Sequence, residues 1–440
     1  MNYIERHCAQ TMSLVQGYDT DSSDEDTQDF NKKHKLQSSK LKSKRPKRKG
    51  KGPWASWESS SEAEQDEEVQ TTNISNAGNS DMGDDIDSSL SFNQEKSTFV
   101  GKREKDYQGR SFMHPPIDVE VDLKKEPLSF KCFLPKRKLA EYSGHKNGTT
   151  SLRFLPHSGH LFLSGGNDKT IKIWDFYHNR ELLRTYEGHT MTIKDLNFTH
   201  DGETFASASF DKSVKVWNTE RGSILKRLRF NAVPNCIMFH PEDKNQLVIG
   251  LSNSEILHYD FRVDEKDGKI QKYDHHQGSI LALKYFPNGK KLISSSDDKT
   301  VRIWENQINV PIKQISGTTQ HSMPWIDINP QEQYFCTQSM DNTIYTYSMM
   351  PKYKRHPSKM FKGHSTAGYG IHFAFSPDGQ YIASGDSKGQ TFIWDWKTTK
   401  VLKKFKPLSN NLPITCLAWN PQETSKLCCA GNDGRIVVLD

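Results

Sequence analysis

The chain has 440 residues, of which 34% are hydrophobic, and its mean hydropathy of −0.79 is low for a wholly globular protein. We therefore expect part of it to be disordered, since few apolar residues and many charges cannot support a core throughout. No apolar run approaches the roughly 18 residues that a membrane-spanning helix requires, and no secretory leader is recognisable. Seven cysteines without a C-x-x-C motif indicate a reduced, intracellular protein without a structural zinc.

Residues 1–96 consist of segregated blocks of charge. Eleven Lys or Arg and no acid lie between Lys32 and Lys51, whereas eleven Asp or Glu and no base lie between Gly52 and Glu95. Like charges in such blocks repel one another and cannot be buried. This region is therefore predicted to be a disordered, solvated tail.

The densest part of the basic block predicts a nuclear localisation signal. The residues concerned are Lys44, Arg45, Lys47, Arg48 and Lys49. A merely solubilising run is the alternative, and the same charges would also suit contact with RNA phosphates. Trp54 and Trp57 follow directly, and exposed Trp residues in such a tail more often anchor a partner than form a core.

Residues 97–135 lack these charge blocks and contain several aromatic residues and prolines. We expect a linear segment that becomes ordered on a partner, because a disordered segment normally avoids such apolar side chains. The residues predicted to bind the partner are Tyr107, Gln108, Arg110, Phe112, Met113, Pro115 and Pro116. The alternative is that the segment packs on its own chain as a structural strap.

From residue 136 to residue 440 one pattern recurs: a Gly-His pair, two apolar runs, an Asp in a tight turn, and a strand that ends in Trp. The strand-ending residues lie 42 to 47 positions apart and are Trp174, Trp217, Tyr259, Trp304, Tyr347, Trp394 and Leu439. This period with Gly-His and Trp-Asp marks is typical of WD repeats, each of which forms a four-stranded blade. The predicted fold is all-β, a seven-bladed WD-repeat β-propeller preceded by a largely disordered N-terminal region.

The strands within the repeats also predict how the ring closes. Residues Lys138–Tyr142 form a surplus strand before the first Gly-His pair, while the last repeat ends with its third strand, Arg435–Asp440. We expect the surplus strand to complete blade 7, because that pairing removes an exposed sheet edge.

Four residues of each clear repeat are predicted to form a hydrogen-bonded tetrad that satisfies buried polar groups. The tetrad residues are His145, Ser164, Asp168 and Trp174; His189, Ser207, Asp211 and Trp217; His276, Ser294, Asp298 and Trp304; and His364, Ser384 and Trp394. In the last set Lys388 occupies the Asp position, and Asp386 is a candidate substitute. The other interpretation, part of a hydrolase triad, is disfavoured because an enzyme needs one such site and not four.

The longest spacing between repeats contains the basic connection Pro351–Pro357. Its residues Lys352, Tyr353, Lys354 and Arg355 are possible RNA contacts. Lysine and arginine would attract phosphates, and the tyrosine ring would stack on a base. The alternative is an ordinary solvated loop.

Residues 106–116, Asp-Tyr-Gln-Gly-Arg-Ser-Phe-Met-His-Pro-Pro, resemble the hallmark segment of the family of pre-mRNA-processing factor 17, WD-repeat splicing factors of the second catalytic step. Further matches are Lys131–Lys136, Ser158–Leu161, His321–Pro324, Gln338–Asn342, Gly385–Asp386, Ile393–Lys400 and Glu423–Lys426. The resemblance implies a non-enzymatic spliceosome component that acts around exon ligation. It offers no catalytic residues to carry over.

The sequence thus predicts no catalytic, cofactor-binding or metal-binding residues, no cofactor and no small-molecule substrate. The favoured function is a nuclear scaffold for spliceosomal proteins, small nuclear RNA and pre-mRNA during exon ligation, without a membrane partner. The alternative is a WD-repeat substrate adaptor of a ubiquitin ligase or a chromatin-associated reader. No F-box-like helical pair precedes the repeats, which disfavours the ligase adaptor.

Overall fold

The computed structural model describes residues 95–105, 108–178, 180–263, 268–408 and 410–440. In these ranges the regular structure consists of 29 strands, which form seven antiparallel sheets. The innermost strands contact one another in sequence around a closed ring, so each sheet is one blade. The predicted seven-bladed β-propeller is confirmed. Within the described residues no helix is long and apolar enough to cross a membrane.

Each blade has four strands, numbered here in chain order and given from blade 1 to blade 7. The inner strands are β3 (Thr149–Phe154), β7 (Ile193–Phe198), β11 (Pro234–Phe239), β15 (Ile280–Tyr285), β19 (Trp325–Ile328), β23 (Phe373–Phe375) and β27 (Ile414–Trp419). The second strands are β4 (Leu161–Gly166), β8 (Thr204–Ser209), β12 (Gln246–Leu251), β16 (Lys291–Ser296), β20 (Tyr334–Ser339), β24 (Tyr381–Gly385) and β28 (Leu427–Gly431).

The outer half of each blade follows the same order. The third strands are β5 (Ile171–Asp175), β9 (Ser213–Asn218), β13 (Ile256–Asp260), β17 (Val301–Glu305), β21 (Thr343–Ser348), β25 (Thr391–Asp395) and β29 (Arg435–Leu439). The outer strands are β6 (Leu182–Glu187), β10 (Ile224–Arg229), β14 (Lys269–Tyr273), β18 (Pro311–Ile315), β22 (Arg355–Lys362), β26 (Val401–Phe405) and, in blade 7, β2 (Lys138–Ser143).

The core lies between the blades, because every blade buries both of its faces. Successive side chains of a strand point to opposite faces of the sheet. In β4, Leu161 and Leu163 pack into the apolar cluster shared with blade 2, while Phe162 packs into the cluster shared with blade 7. Seven such clusters fill the seven interfaces around the ring. The second and third strands therefore read as nearly continuous apolar runs.

Blade 7 is completed by the strand that precedes the first repeat. β2 pairs antiparallel with β29, with Lys138 opposite Leu439 and Tyr142 opposite Ile436. Tyr142 is buried, and its ring lies 5.6 Å from the ring of Trp174 in blade 1. The predicted ring closure is confirmed, and the closing strand also contributes to the interface with blade 1.

Blade 1 carries a fifth strand that the repeat pattern did not predict. β1 (Lys96–Phe99) pairs antiparallel with the outer strand β6, with Lys96 opposite Glu187 and Phe99 opposite Arg184. It begins one residue before the start of the predicted linear segment at residue 97. The outer edge of blade 1 is thereby covered by the chain itself.

Candidate interaction sites

The structure brings the predicted tetrads together in blades 1, 2 and 4. In blade 2 the indole N–H of Trp217 donates to Ser207 Oγ at 2.9 Å, and Ser207 Oγ donates to His189 Nε2 at 2.8 Å. His189 Nδ1 then donates to Asp211 at 2.8 Å. The corresponding distances in blade 1 and blade 4 lie between 2.7 and 3.0 Å. Each network links the loop before an inner strand to the second and third strands of the same blade.

The carboxylates of these tetrads are held in the charged form. Burial alone would raise the pKa of Asp168, but hydrogen bonds from His145, the backbone N–H of Lys146 and Thr170 outweigh it and lower the pKa to about 2. The pKa of Asp211 and that of Asp298 are lowered for the same reasons. Burial lowers the pKa of His189, against the opposing effect of Asp211. A neutral imidazole between a hydroxyl and a carboxylate is the resulting state.

This Ser-His-Asp order matches that of a hydrolase triad, but the arrangement cannot act as one. Ser164, Ser207 and Ser294 are fully buried, and each hydroxyl already accepts the indole N–H of a Trp. A nucleophile must reach its substrate, and these hydroxyls have no access to one. Each of these tetrads links the strands and the loop of its own blade.

Blade 6 does not form the tetrad that its residues suggest. His364 Nε2 donates to Gln338 Oε1 of blade 5 at 3.0 Å, and Ser384 Oγ donates to the carbonyl of Gly385. The indole N–H of Trp394 donates to the carbonyl of Lys362. The prediction of a connected His364, Ser384 and Trp394 is therefore wrong.

The candidate substitute carboxylate does not repair this network. Asp386 accepts a hydrogen bond from the backbone N–H of Ser365 and does not bond to His364. Because Lys388 stands at the Asp position, no carboxylate of the described residues faces Nδ1 of His364, and this ring nitrogen has no hydrogen-bond partner among them. The imidazole turns to a neighbouring blade for its hydrogen bond instead.

The N-terminal segment is attached first through a buried acid. Glu95 accepts hydrogen bonds from Lys215 Nζ at 2.5 Å and from Arg227 Nη2 at 2.5 Å, both in blade 2. Only 7% of its side chain is exposed. Burial would raise the pKa of Glu95, but the hydrogen bonds from Arg227 and Lys215 outweigh it and hold the pKa below its usual value. The acid that ends the acidic block therefore fixes the start of β1 between blades 1 and 2.

The hallmark segment then packs on the ring. Phe112 and Met113 are partly buried against the core cluster of blades 1 and 2, and the Phe112 ring lies 5.7 Å from that of Phe99. His160 Nε2 donates to the carbonyl of Phe112 at 3.2 Å, and Ser158 Oγ contacts the other ring nitrogen. The side chain of Gln108 is exposed, and those of Arg110, Pro115 and Pro116 are half-buried.

Further along, the same segment crosses blades 7 and 6. The backbone N–H of Lys125 donates to Gln422, and the backbone N–H of Phe133 donates to the carbonyl of Thr424. The backbone N–H of Cys132 donates to the buried carboxylate of Asp378 in blade 6 at 2.7 Å. The segment from Glu95 to Pro135 is thus a strap on its own propeller. This is the alternative arrangement, and partner binding by the segment stays a prediction.

The basic connection in blade 5 is placed differently from the prediction in one respect. Tyr353 is 5% exposed, its ring packs on Phe286, and Lys291 Nζ donates to its hydroxyl at 2.9 Å. The prediction that Tyr353 stacks on an RNA base is therefore wrong, because its ring is buried in the core between blades 4 and 5. Lys352, Lys354 and Arg355 are exposed, so the charged part of the predicted RNA contact stays a prediction.

Several predicted residues lie outside the described residues. These are Tyr107 of the hallmark segment, the tail residues Trp54 and Trp57, and the nuclear localisation residues Lys44, Arg45, Lys47, Arg48 and Lys49. Their roles stay predictions.

The central channel is lined by charges that neutralise one another. Arg153 pairs with Asp195 at 2.8 Å, and Lys284 pairs with Asp327 at 2.8 Å. The ring of Trp325 lies between the guanidinium of Arg153 and the stacked imidazole of His372. Among the described residues, no group of three or more His, Cys, Asp or Glu side chains is arranged to hold a metal ion.

Comparison with known proteins gives relatives over the whole chain. A family profile described as the first WD40 domain of WDHD1 matches residues 145–438. Pre-mRNA-processing factor 17 of Saccharomyces cerevisiae is 53% identical and aligns with 98% of this chain and 100% of its own length. Pre-mRNA-processing factor 17 of Homo sapiens is 38% identical, over 79% of this chain and 59% of its own length, and the Mus musculus protein gives the same values.

Proposed function

Because this chain belongs to the family of pre-mRNA-processing factor 17, we propose that it is a non-enzymatic spliceosome component that scaffolds protein and RNA elements for exon ligation. The observation that carries the proposal is the match at 53% identity along the full length of the yeast relative. A role in pre-mRNA splicing follows from the family. The scaffolding role and the second catalytic step are the proposed refinements.

The architecture suits a scaffold for physical reasons. Apolar clusters fill all seven interfaces between blades, so the ring holds its outer surfaces at fixed distances from one another. The Ser-His-Asp groups that could suggest chemistry are buried inside blades. Function must then come from the surfaces, where several partners bind at once. The reaction itself belongs to groups supplied by those partners.

Depletion of the protein from a splicing-competent extract tests the proposed step. We expect branching to continue while exon ligation slows, so that cleaved 5′ exon and lariat intermediate accumulate on a denaturing gel. Adding back the purified wild-type protein should restore ligated exons. Accumulation of unspliced precursor alone would assign an assembly role and overturn the second-step proposal.

The nuclear location is proposed from the basic block of the tail. Replacement of Lys44, Arg45, Lys47, Arg48 and Lys49 by Ala should shift a fluorescent fusion toward the cytoplasm. The matched control replaces Lys32, Lys33, Lys35, Lys40 and Lys51, which carry five charges of the same block outside the dense run Lys42–Lys49. Unchanged nuclear accumulation of the first variant would show that import uses another signal.

The hallmark segment is proposed to bind a spliceosomal partner while it remains on the ring. Phe112→Ala should lower the melting temperature, because the ring of Phe112 packs on the core of blades 1 and 2. Gln108→Ala, at an exposed position, should lower the melting temperature less than Phe112→Ala and weaken copurification with splicing complexes. If copurification is unaffected by Gln108→Ala and survives Phe112→Ala at low temperature, the segment is a strap alone.

A further inference from the structure

Positive charge is concentrated in one part of the ring. Residues 351–406, which run from the connection of blade 5 to the end of blade 6, contain eleven Lys or Arg, three Asp and no Glu. The excess of eight positive charges is larger than the net charge of +6 of the entire chain. The other parts of the chain are therefore, taken together, slightly acidic.

The three acids of this stretch do not neutralise it. Asp378 and Asp386 are buried and accept backbone N–H groups of Cys132 and Ser365. Asp395 accepts hydrogen bonds from the N–H and the hydroxyl of Thr398 within its own turn. Each carboxylate thus holds a loop, and of the three only Asp395 also interacts electrostatically with an exposed lysine of the stretch, the neighbouring Lys397.

Five exposed charges of this stretch, together with Lys136, lie at equivalent places in three consecutive blades. All of them sit at or just before the first residue of an outer strand, and we call them the basic rim: Lys352, Lys354 and Arg355 before and at the start of β22, Lys397 and Lys400 before β26, and Lys136 before β2. Within the described parts of the chain, none of these six side chains forms an ion pair with a carboxylate.

Contacts between neighbouring blades link the parts of the rim. Lys359 of β22 lies over the ring of Trp396 in blade 6, with Nζ 3.9 Å from its centre, and Phe361 stacks on the same ring at 5.7 Å. Lys403 of β26 donates to the carbonyl of Pro135 at 2.9 Å, immediately before the blade 7 part of the rim. The outer strands of blades 5 and 6 therefore contact the residues that directly precede Lys397 and Lys136 in the next blade.

The same turns in the other blades are different. In blade 1, His178 pairs with Asp175 and Asp118. In blade 3, Arg262 pairs with Asp243 and Asp260. The turn of blade 4, residues 306–310, has no charged residue. Cations also lie at this position in blades 1 to 3, at Arg180, Arg221 and Lys269, but each of them has an acid beside it or nearby: Glu181, Glu220 and Glu255. The corresponding segments of blades 5 to 7, residues 351–357, 396–400 and 131–137, contain no acid, so what distinguishes these blades is the excess of positive charge.

We propose that the basic rim binds the phosphate backbone of RNA, with structured, double-helical RNA preferred over a single strand. Uncompensated lysines in a row attract a polyanion and release its counterions. Sequence-tolerant binding of single strands also uses open aromatic faces. On this rim Tyr353 is buried, Trp396 is covered by Lys359, and Arg355 lies over Tyr345. The choice of RNA as the partner rests on the proposed function in splicing.

A matched pair of variants tests the rim in the full-length protein. The rim variant replaces Lys136, Lys352, Lys354, Lys397 and Lys400 by Gln. The control variant replaces five exposed lysines of blades 1, 2 and 4 by Gln: Lys169, Lys212, Lys290, Lys299 and Lys313. Both variants and their parent also carry Gln at Lys44, Arg45, Lys47, Arg48 and Lys49, so that the tail contributes less to binding.

Fluorescence anisotropy with a labelled RNA hairpin, between about 50 and 200 mM KCl, measures affinity and its salt dependence. We expect the rim variant to bind at least about tenfold more weakly, with a salt slope shallower by about three to five, since each lost phosphate contact removes roughly one. The control should keep the affinity of its parent to within about twofold. Equal losses in both variants, or none in the rim variant, would overturn the proposal.

Two further probes separate the alternatives. A single-stranded RNA of the same composition should bind more weakly than the hairpin, and the reverse order would overturn the preference for a duplex. If the rim variant loses binding of poly-glutamate and keeps that of RNA, the surface belongs to an acidic protein. Depletion of the extract, followed by addition of the rim variant, tests the proposed function separately from RNA binding. If the rim binds RNA but depletion causes no splicing defect, the proposed function is refuted and RNA binding by the rim stands.

Discussion

Blade 2 and blade 6 each contain a His, a Ser and a Trp at corresponding positions of the repeat, and the hydrogen bonds of these residues differ between the two blades. In blade 2 the three side chains and Asp211 form one hydrogen-bonded chain. In blade 6, His364 bonds to blade 5, and Ser384 and Trp394 bond to backbone carbonyls. The difference lies in the turn before the third strand, where blade 2 has Asp211 and blade 6 has Lys388.

The comparison shows what the carboxylate contributes to a blade. Asp211 accepts from His189 and from the backbone N–H of Thr190, so it fixes both the imidazole and the loop that carries it. In the described residues of blade 6 there is no such carboxylate, and the Nε2 proton of His364 is donated to Gln338 of blade 5. A buried donor generally forms a hydrogen bond with an acceptor within reach. The interface between blades 5 and 6 therefore gains a hydrogen bond that the interior of blade 6 lacks.

The largest expected effect on the free energy of unfolding comes from the buried tryptophan that both blades contain. Trp217 and Trp394 are 1% and 0% exposed, so Trp217→Ala and Trp394→Ala should each lower the free energy of unfolding by about 3–5 kcal/mol. Denaturant titration measures this, and Trp54→Ala in the predicted tail is the control without an effect. A much smaller loss for Trp394 would mean that its cluster rearranges to fill the cavity.

The second prediction concerns the pH dependence of the free energy of unfolding, to which His364 of blade 6 and Asp211 of blade 2 should contribute in different pH ranges. Burial lowers the pKa of His364 to about 4, so below the ordinary value of 6.5 the unfolded chain binds a proton that the folded chain does not. The free energy of unfolding should fall between pH 6.5 and pH 4, by up to about 3 kcal/mol from this residue. His364→Gln should flatten that dependence in denaturant titrations. An unchanged slope would show that the pKa of His364 is the same in the folded and the unfolded protein.

In blade 2, Asp211 should contribute to the pH dependence of the free energy of unfolding at lower pH than His364 does. The pKa of Asp211 is lowered in the fold, so its stabilisation is present above the ordinary carboxyl value and is lost as the pH falls through the lowered one. Asp211→Asn should therefore remove part of the pH dependence below about pH 4. If Asp211→Asn leaves the curve there unchanged, other carboxylates control acid unfolding.

The smallest expected effect on the free energy of unfolding comes from removing the serine hydroxyl of each blade. Ser207→Ala leaves the indole N–H of Trp217 and the Nε2 of His189 without partners, and should cost about 1–3 kcal/mol. Ser384→Ala removes only a 3.3 Å hydrogen bond to a neighbouring carbonyl and should cost less than about 1 kcal/mol. Equal costs would indicate that the tetrad adds nothing to the stability of blade 2.

Much of the ring could be predicted because its rules are local. A period of 42 to 47 residues and the fixed steps from Ser to Asp to Trp reflect the strand and turn lengths of one blade, so they determine the tetrads of blades 1, 2 and 4. The closing strand followed from counting strands. The tetrad predicted in blade 6 does not form, because His364 donates its hydrogen bond to Gln338 of blade 5. The spacing within one repeat cannot predict a contact with another blade.

The strap was harder to predict for a related reason. Glu95 ends a long acidic block and looks like a solvated charge, yet its partners Lys215 and Arg227 lie more than one hundred residues later. Tyr353 sits in a basic stretch that suggested an exposed loop, and only the packing of Phe286 against it places the ring inside. In both cases the deciding neighbour is distant in sequence. Composition describes the surroundings along the chain, whereas burial depends on the surroundings in space.

The pairing of β2 with β29 has a consequence for synthesis on the ribosome. The two strands lie about 300 residues apart, so β2 is made before any blade and its partner is the last strand of the ring to be made. During translation the interfaces from blade 1 to blade 6 can form in order, whereas β2 cannot pair until β29 has left the exit tunnel. Joining the two ends is then the final event, and it converts an open arc of blades into a circle whose every member has two neighbours.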